Sequence, residues 1–284
     1  MDFVDAMVRF DPPMDGEMNM QVDNDLLHSL TPASPVTLRL YRWSQPTLSL
    51  GRFQQEDAIF PDWKVAQGAR VRRRTGGGAI LHDQEWTYSL AIPNSPHLGL
   101  QGIGLKGHSE EIYRAVHLAV VSGLRELGWD AALSEECSCP LAEDNAGEEA
   151  FLCFLRRSPV DVVVGTDKIL GSAQRRANTG LLQHGSFLLR RSELAPELPG
   201  ILDLPRNRRE PVGLNVGAGC SKAETAADGD SVFQITDHEL LQFAARLENS
   251  ADIRVGLWLA KQIMAGVETI FRCNWKLAGI DSVS

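Results

Sequence analysis

The sequence predicts a mixed α/β fold of the α+β kind, and three observations carry the prediction. Short β-like runs bounded by Pro-, Gly- and Asp-containing turns occupy residues 37–41, 47–51, 70–74, 78–82 and 86–92, and strand character returns at 159–164, 168–175 and 181–189. Runs spaced this closely give a sheet with several antiparallel neighbours. Met18, Val22, Leu26 and Leu30 recur at near-helical spacing and mark a first helix over residues 17–30, which Pro32 and Pro35 end. A longer helix follows the strands. Ser109 reads as its N-cap, Glu110 and Glu111 complement the first turn, and Ile112, Val116, Ala119, Gly123 and Leu127 share one face until Gly128 stops it.

The remaining segments are less regular. Residues 131–150 are acidic and small and read as a mobile loop; Pro205 to Gly229 is polar and Gly/Ala-rich and reads as an irregular excursion; helices are expected around 237–248 and 253–270. No internal repeat or low-complexity tract interrupts the chain. At 284 residues, 43% hydrophobic and 23% charged, it can bury one large core or two modest ones.

Charge and cysteine usage exclude several classes. A net charge of −9 provides no basic field for general nucleic-acid binding. Arg70, Arg72, Arg73 and Arg74 nevertheless form a local basic cluster, while Glu135, Glu136, Glu143, Asp144, Glu148 and Glu149 read as a solvated acidic loop. Met1-Asp2-Phe3-Val4-Asp5 has no leader character, and no run approaches the ~18 apolar residues of a membrane span, so a cytoplasmic protein is expected. Five cysteines, an odd number, fit reduced thiols. Cys137-Ser138-Cys139 lacks a second ligand pair, and His82 and His184 lack a third ligand, so no metal site is expected.

The chemistry concentrates in two segments. Arg72-Arg73-Arg74-Thr75-Gly76-Gly77-Gly78-Ala79-Ile80-Leu81-His82 places a bare-backbone turn between two strands, where a ligand carbonyl, phosphate or acyl chain can meet main-chain N–H groups. The second runs Asp167-Lys168-Ile169-Leu170-Gly171-Ser172-Ala173-Gln174, then Gln183-His184-Gly185-Ser186. Together these segments resemble the signatures of the lipoate-protein ligase and octanoyltransferase superfamily, which includes biotin ligases: Arg-Arg-x-x-Gly-Gly-Gly-Ala-x-x-His, Lys-Ile-x-Gly-Ser-Ala-Gln and a His-Gly-Ser strand. Leu50-Gly51-Arg52-Phe53-Gln54 and Asn19-Met20-Gln21-Val22-Asp23 resemble two further elements, so the likeness covers residues 18–189.

The resemblance implies a central mixed β-sheet with helices packed outside. It also implies one catalytic domain over 1–284, with its motif-bearing core at about 18–190 and an irregular, helical part at 191–284. It assigns Lys168 as the reactive-site lysine. Cys153, in Phe151-Leu152-Cys153-Phe154, stands where the cysteine-dependent octanoyltransferases carry their nucleophile. Read by itself, Cys153 is equally a small buried hydrophobe, and Lys168 a strand-edge charge. The chemistry favours the resemblance, because a thiolate accepts an acyl group from a thioester with little change in bond energy. An ammonium beside it would raise the thiolate fraction and steady the oxyanion at the acyl carbonyl. Arg73, Gly76, Gly77, Gly78, His82, Gly171, Ser172, Ala173, His184 and Gly185 are the expected binding residues, with Gly76, Gly77, Gly78, Gly171 and Ser172 as backbone contacts along an acyl tunnel. An octanoyl chain offers about seven apolar carbons at ~0.8 kcal/mol each.

His82-Asp83-Gln84-Glu85-Trp86-Thr87-Tyr88-Ser89 resembles the transferase ending Glu-x-Thr-Tyr-Ser, whereas the uninterrupted Gly76-Gly77-Gly78 resembles the ligases. The leading expectation is transfer of octanoate from acyl carrier protein to a lysine of a lipoyl domain, such as the glycine-cleavage H protein or a 2-oxoacid dehydrogenase E2. No cofactor is then needed. The alternative is an ATP- and magnesium-dependent lipoate-protein ligase working through lipoyl-adenylate.

Overall fold

The computed structural model describes residues 3–55, 68–98, 104–137, 151–206 and 251–278. Its centre is a mixed sheet. The first strand, β1 (Val4–Phe10), runs parallel to β2 (Val36–Tyr41), and β2 pairs antiparallel with β6 (Glu85–Pro93). Next come β10 (Gly180–Leu188), β9 (Asp167–Ala177), β8 (Val162–Val164) and β7 (Ala131–Leu133), all antiparallel, while β11 (Cys273–Leu277) lies parallel to β1 on the opposite edge. A smaller sheet places β3 (Thr47–Leu50) between β4 (Ala69–Arg72) and β5 (Ile80–His82).

Helices cover both faces of the large sheet, which is why β2, β6 and β10 read as continuous buried runs instead of alternating ones. Trp86, Tyr88, Leu90 and Ile92 of β6 join one core with α2 (Gly104–Glu126) and α3 (Ala251–Glu268). On the other face Ala91 and Leu182 meet Leu27 and Leu30, at the end of α1 (Gly16–His28). A fully buried leucine contributes about 1.5–3 kcal/mol, so these two faces account for much of the driving force.

The expected strands at 37–41, 47–51, 70–74, 78–82, 86–92, 159–164, 168–175 and 181–189 all match observed strands to within three residues at either end. Three strands went unread. β1 lies outside the expected runs although its residues alternate between buried and more exposed; β11 is a five-residue edge strand; β7 falls where the sequence predicts a loop over 131–150. Residues 138–150, nearly all of the 205–229 excursion and the helix at 237–248 lie outside the described residues. Ser109 is not an N-cap: α2 begins at Gly104, and within it the Ser109 carbonyl accepts a hydrogen bond from Gln174 Nε2 at 2.6 Å. The first helix is capped by Asp15, whose side chain accepts the Met18 N–H at 2.8 Å.

Candidate active site

The glycine loop and the cysteine segment are stitched together by backbone. The Ala79 N–H donates to the Phe151 carbonyl at 2.9 Å, and the Cys153 N–H donates to the Ala79 carbonyl at 2.7 Å. A Cβ at Gly78 would lie 2.9 Å from Cys153 N and 3.0 Å from its Cα and from Phe151 O, so only glycine lets the segment lie this close. Leu152 completes the seam, buried with Leu48, Leu50, Ala79 and Leu81 of the small sheet. Gly78 therefore works as a seat for Cys153 and does not border the cavity.

Cys153 opens a short 3-10 turn (Cys153–Leu155) at the wall of a cavity of about 290 Å³. Arg73, Gly76, Gly77 and His82 form one side of that cavity. Gly171, Ser172 and Ala173 from β9 and His184 and Gly185 from β10 border it too. Met20, Tyr41, Trp43 and Thr87 carry it across the sheet towards α1 and β2. Lys168 is not on this wall: it lies behind Cys153, 7% exposed, with Nζ 3.8 Å from the sulfur.

Arg73 is a buried cation, donating to the Ser49 hydroxyl and carbonyl at 2.6 Å each and to the Gly78 carbonyl at 2.7 Å. Burial lowers it to about 10, against the Cys153 sulfur and the Glu85 carboxyl, which favour its charge. From Arg73 the hydrogen bonds run one way. Because Arg73 donates to Ser49 and Glu85 accepts from His82 Nδ1 at 2.5 Å, the Ser49 hydroxyl donates to His82 Nε2 at 2.6 Å. Ser49–His82–Glu85 has the outline of a hydrolytic triad. Ser49 is fully buried, bonded to Arg73 and away from the cavity, so it serves as a link and not as a nucleophile. Burial holds His82 below its ordinary value, Glu85 opposing, and Trp43 stacks on its ring at 3.8 Å between centroids.

His184 bonds Thr75 Oγ1 at 2.8 Å and stands 3.7 Å from Asp23. Burial would raise Asp23, but His184 and Arg39 outweigh it and hold the carboxyl below its ordinary value. Ser172 borders the cavity with its polar groups already engaged. Tyr113 takes its N–H and carbonyl past the end of β8, and its hydroxyl meets Tyr88 and His117 Nε2 at 2.7 Å each.

Four contributors were not foreseen: Asp161, Glu85, Trp43 and His117. Asp161 had one legible signal, a lone acid inside the apolar run Val160-Asp161-Val162-Val163, which is the mark of a buried, paired charge. The ammonium expected beside Cys153 is in place, with Lys168 Nζ 3.8 Å from the sulfur.

The fold seats a cysteine on a glycine loop beside a strand-borne lysine. The chain belongs to the lipoyl protein ligase A/B catalytic domain family, which matches residues 15–205 of the 284. It is similar to octanoyltransferase LipM of Kyrpidia tusciae, 40% identical over 198 residues, and the match covers 67% of each chain. It is also similar to octanoyltransferase LipM of Macrococcus caseolyticus, 34% identical over 173 residues and 60% of each chain. The matches thus span about two thirds or less of these relatives' own length. Among solved structures, a putative lipoate protein ligase of T. acidophilum with bound lipoic acid superposes with a TM-score of 0.57 at 16% identity, covering 99% of this chain and 91% of that one. Lipoate-protein ligase A bound with ATP gives 0.56 at 18%, covering 98% and 90%. At such identities both establish the fold alone.

Proposed function

We propose that this chain is an octanoyltransferase that carries the acyl group on Cys153. The observation behind the reading is a half-buried thiol at the cavity wall with a lysine nitrogen 3.8 Å from its sulfur. In the first half-reaction the Cys153 thiolate attacks the carbonyl carbon of an octanoyl thioester on acyl carrier protein. The new S–C bond forms, the carrier's C–S bond breaks, and the carrier leaves as a thiolate that takes from solvent the proton Cys153 had released on ionising. In the second, the neutral ε-amine of a lipoyl-domain lysine attacks the Cys153 thioester; C–N forms, C–S breaks, and the amine's surplus proton passes to the leaving sulfur. Lys168 and Arg73 are the cations beside the charge that develops at both steps.

The incoming thioester is already activated, so the reaction needs neither ATP nor magnesium, and the enzyme works in the cytoplasm on lipoyl domains of the H-protein or E2 kind. Incubation with octanoyl carrier protein should raise the mass of the Cys153 peptide by one octanoyl group, and Cys153→Ser should abolish transfer. Full transfer by Cys153→Ser would overturn the reading. A second reading, an ATP-dependent ligase, draws on the Gly76–Gly77 backbone beside Arg73 at the cavity. Pyrophosphate release from ATP, magnesium and free lipoate, without thioester transfer, would favour it.

A further inference from the structure

Lys168 reaches Cys153 along a path that position 171 keeps open. A Cβ on Gly171 would lie 2.5 Å from Lys168 Cε and 2.9 Å from Nζ. At the end of that path Nζ meets Asp161 Oδ2 at 2.8 Å and the carbonyl oxygens of Cys153 and Arg156 at 3.3 Å each. Among the described residues three oxygen acceptors surround the nitrogen, the setting of an ammonium. The carboxylate contact is short and the carbonyl contacts are long. The charge is thus moored at Asp161, and one N–H can turn to the sulfur 3.8 Å away.

Asp161 is itself fixed. It is 1% exposed, Oδ2 accepts the Ser158 N–H at 2.6 Å, and its carbonyl accepts the Ser134 N–H at 2.8 Å. We propose that Asp161 is the positioning residue of this centre: it holds Lys168 as a fixed cation aimed at Cys153, so that the lysine steadies the thiolate and does not act as the proton acceptor. The proposal rests on the reading of Cys153 as the working thiol, but its test needs no acyl substrate.

The ionisable groups facing the pair are Cys153 from the turn, Arg157 beside Asp161, Tyr113 and His117 from α2, and Arg73 near Cys153. His117 does not compete as a cation, since burial lowers it to about 3. Two roles for Asp161 then predict opposite signs. A bare negative charge near the sulfur disfavours the thiolate, so removing it would speed alkylation at neutral pH. A mooring for Lys168 favours the thiolate, so removing it slows alkylation.

The experiment measures iodoacetamide labelling of Cys153 in the full-length protein at pH 7 and pH 10, read by peptide mass because Cys137 is also half-buried. Asp161→Asn keeps an oxygen for the Ser158 N–H; it should label about tenfold more slowly at pH 7, with an almost unchanged rate at pH 10. Asp161→Glu should recover part of the loss. In a Lys168→Met background, adding Asp161→Asn should no longer slow labelling, because the acid favours the thiolate only through the lysine. Unchanged or faster labelling of Asp161→Asn at pH 7, or an additive loss in the double variant, would overturn the proposal. Should Asp161→Asn alone not fold, Asp161→Glu decides, since it keeps the pair charged: it should label more slowly than the parent at pH 7 and equally at pH 10, and parent-like labelling at pH 7 would overturn the proposal. Absence of acyl transfer by the parent protein with these labelling results intact would count against the octanoyltransferase reading and leave the mooring standing.

Discussion

Two glycines of the site separate geometry from stability at the scale of single residues. At Gly171 an added methyl would press on the far end of the Lys168 side chain, which is flexible and can yield. At Gly78 it would press on the Cys153 and Phe151 backbone, which two hydrogen bonds hold in place. Gly171→Ala should therefore leave the melting temperature within about two degrees of the parent while cutting octanoyl transfer at least about tenfold, because the lysine loses its path to Cys153. Gly78→Ala should cost about 1–3 kcal/mol, a drop of several degrees, by prising the cysteine seam apart. Thermal melts beside transfer rates check both, and a reversed pattern would show that the contacts have been assigned to the wrong roles.

The helix α2 brings a titratable group under the sheet, and with it a pH dependence. His117 Nδ1 bonds the Val160 carbonyl at 2.6 Å, which can only accept, so Nε2 is left to accept the Ser172 hydroxyl. The ring is thus neutral in the folded protein, and burial lowers it to about 3 from the ordinary 6.5. A group whose folded value is depressed binds its proton less readily than in the unfolded chain. Its contribution is fully present above pH 6.5 and is lost as the pH falls from there towards 3, at about 1.4 kcal/mol per pH unit. Asp161, which burial raises, works in the opposite sense, so the comparison that isolates the helix is between the parent and His117→Gln. Glutamine can donate to Val160 and accept from Ser172 without titrating. Urea unfolding between pH 6.5 and 4 should show a slope shallower by close to one proton in the variant; parallel slopes would mean that His117 is already protonated in the fold. The periodicity of residues 112–127 made this helix legible, but nothing local showed that residue 117 would face Val160 and Ser172, because that register is set by packing across the sheet. The short edge strands β7 and β11 escaped for the same reason: three and five residues carry too little pattern of their own.

Across the whole molecule, motifs close in sequence were readable and partners distant in sequence were not. The glycine loop, Lys168 and the His184 strand were found as local patterns, and the resemblance they carried picked out Cys153. Asp161 and Trp43 required the fold to bring 158–161 against Lys168 and residue 43 against His82. Charge has the same divided character. The chain carries −9 overall, yet Arg52, Arg74 and Arg175 converge from three separate segments; burial and then the two neighbouring cations lower Arg175. Their sequence neighbours Arg73, Gly76 and Ala173 line the cavity, so this positive patch lies near it within an otherwise acidic protein. An acidic carrier or lipoyl domain would be repelled by the whole and attracted by the patch, which orients encounter more than it tightens the complex. The specificity constant kcat/KM for an acidic carrier should therefore fall as salt rises from 50 to 300 mM, by about threefold to tenfold, with kcat nearly constant. Arg74→Glu and Arg175→Glu should lower kcat/KM at low salt and flatten its salt dependence, while a small octanoyl thioester without charge should show neither effect. A carrier rate independent of salt, or an equal loss with the small thioester, would move these arginines out of docking and into the architecture of the cavity rim.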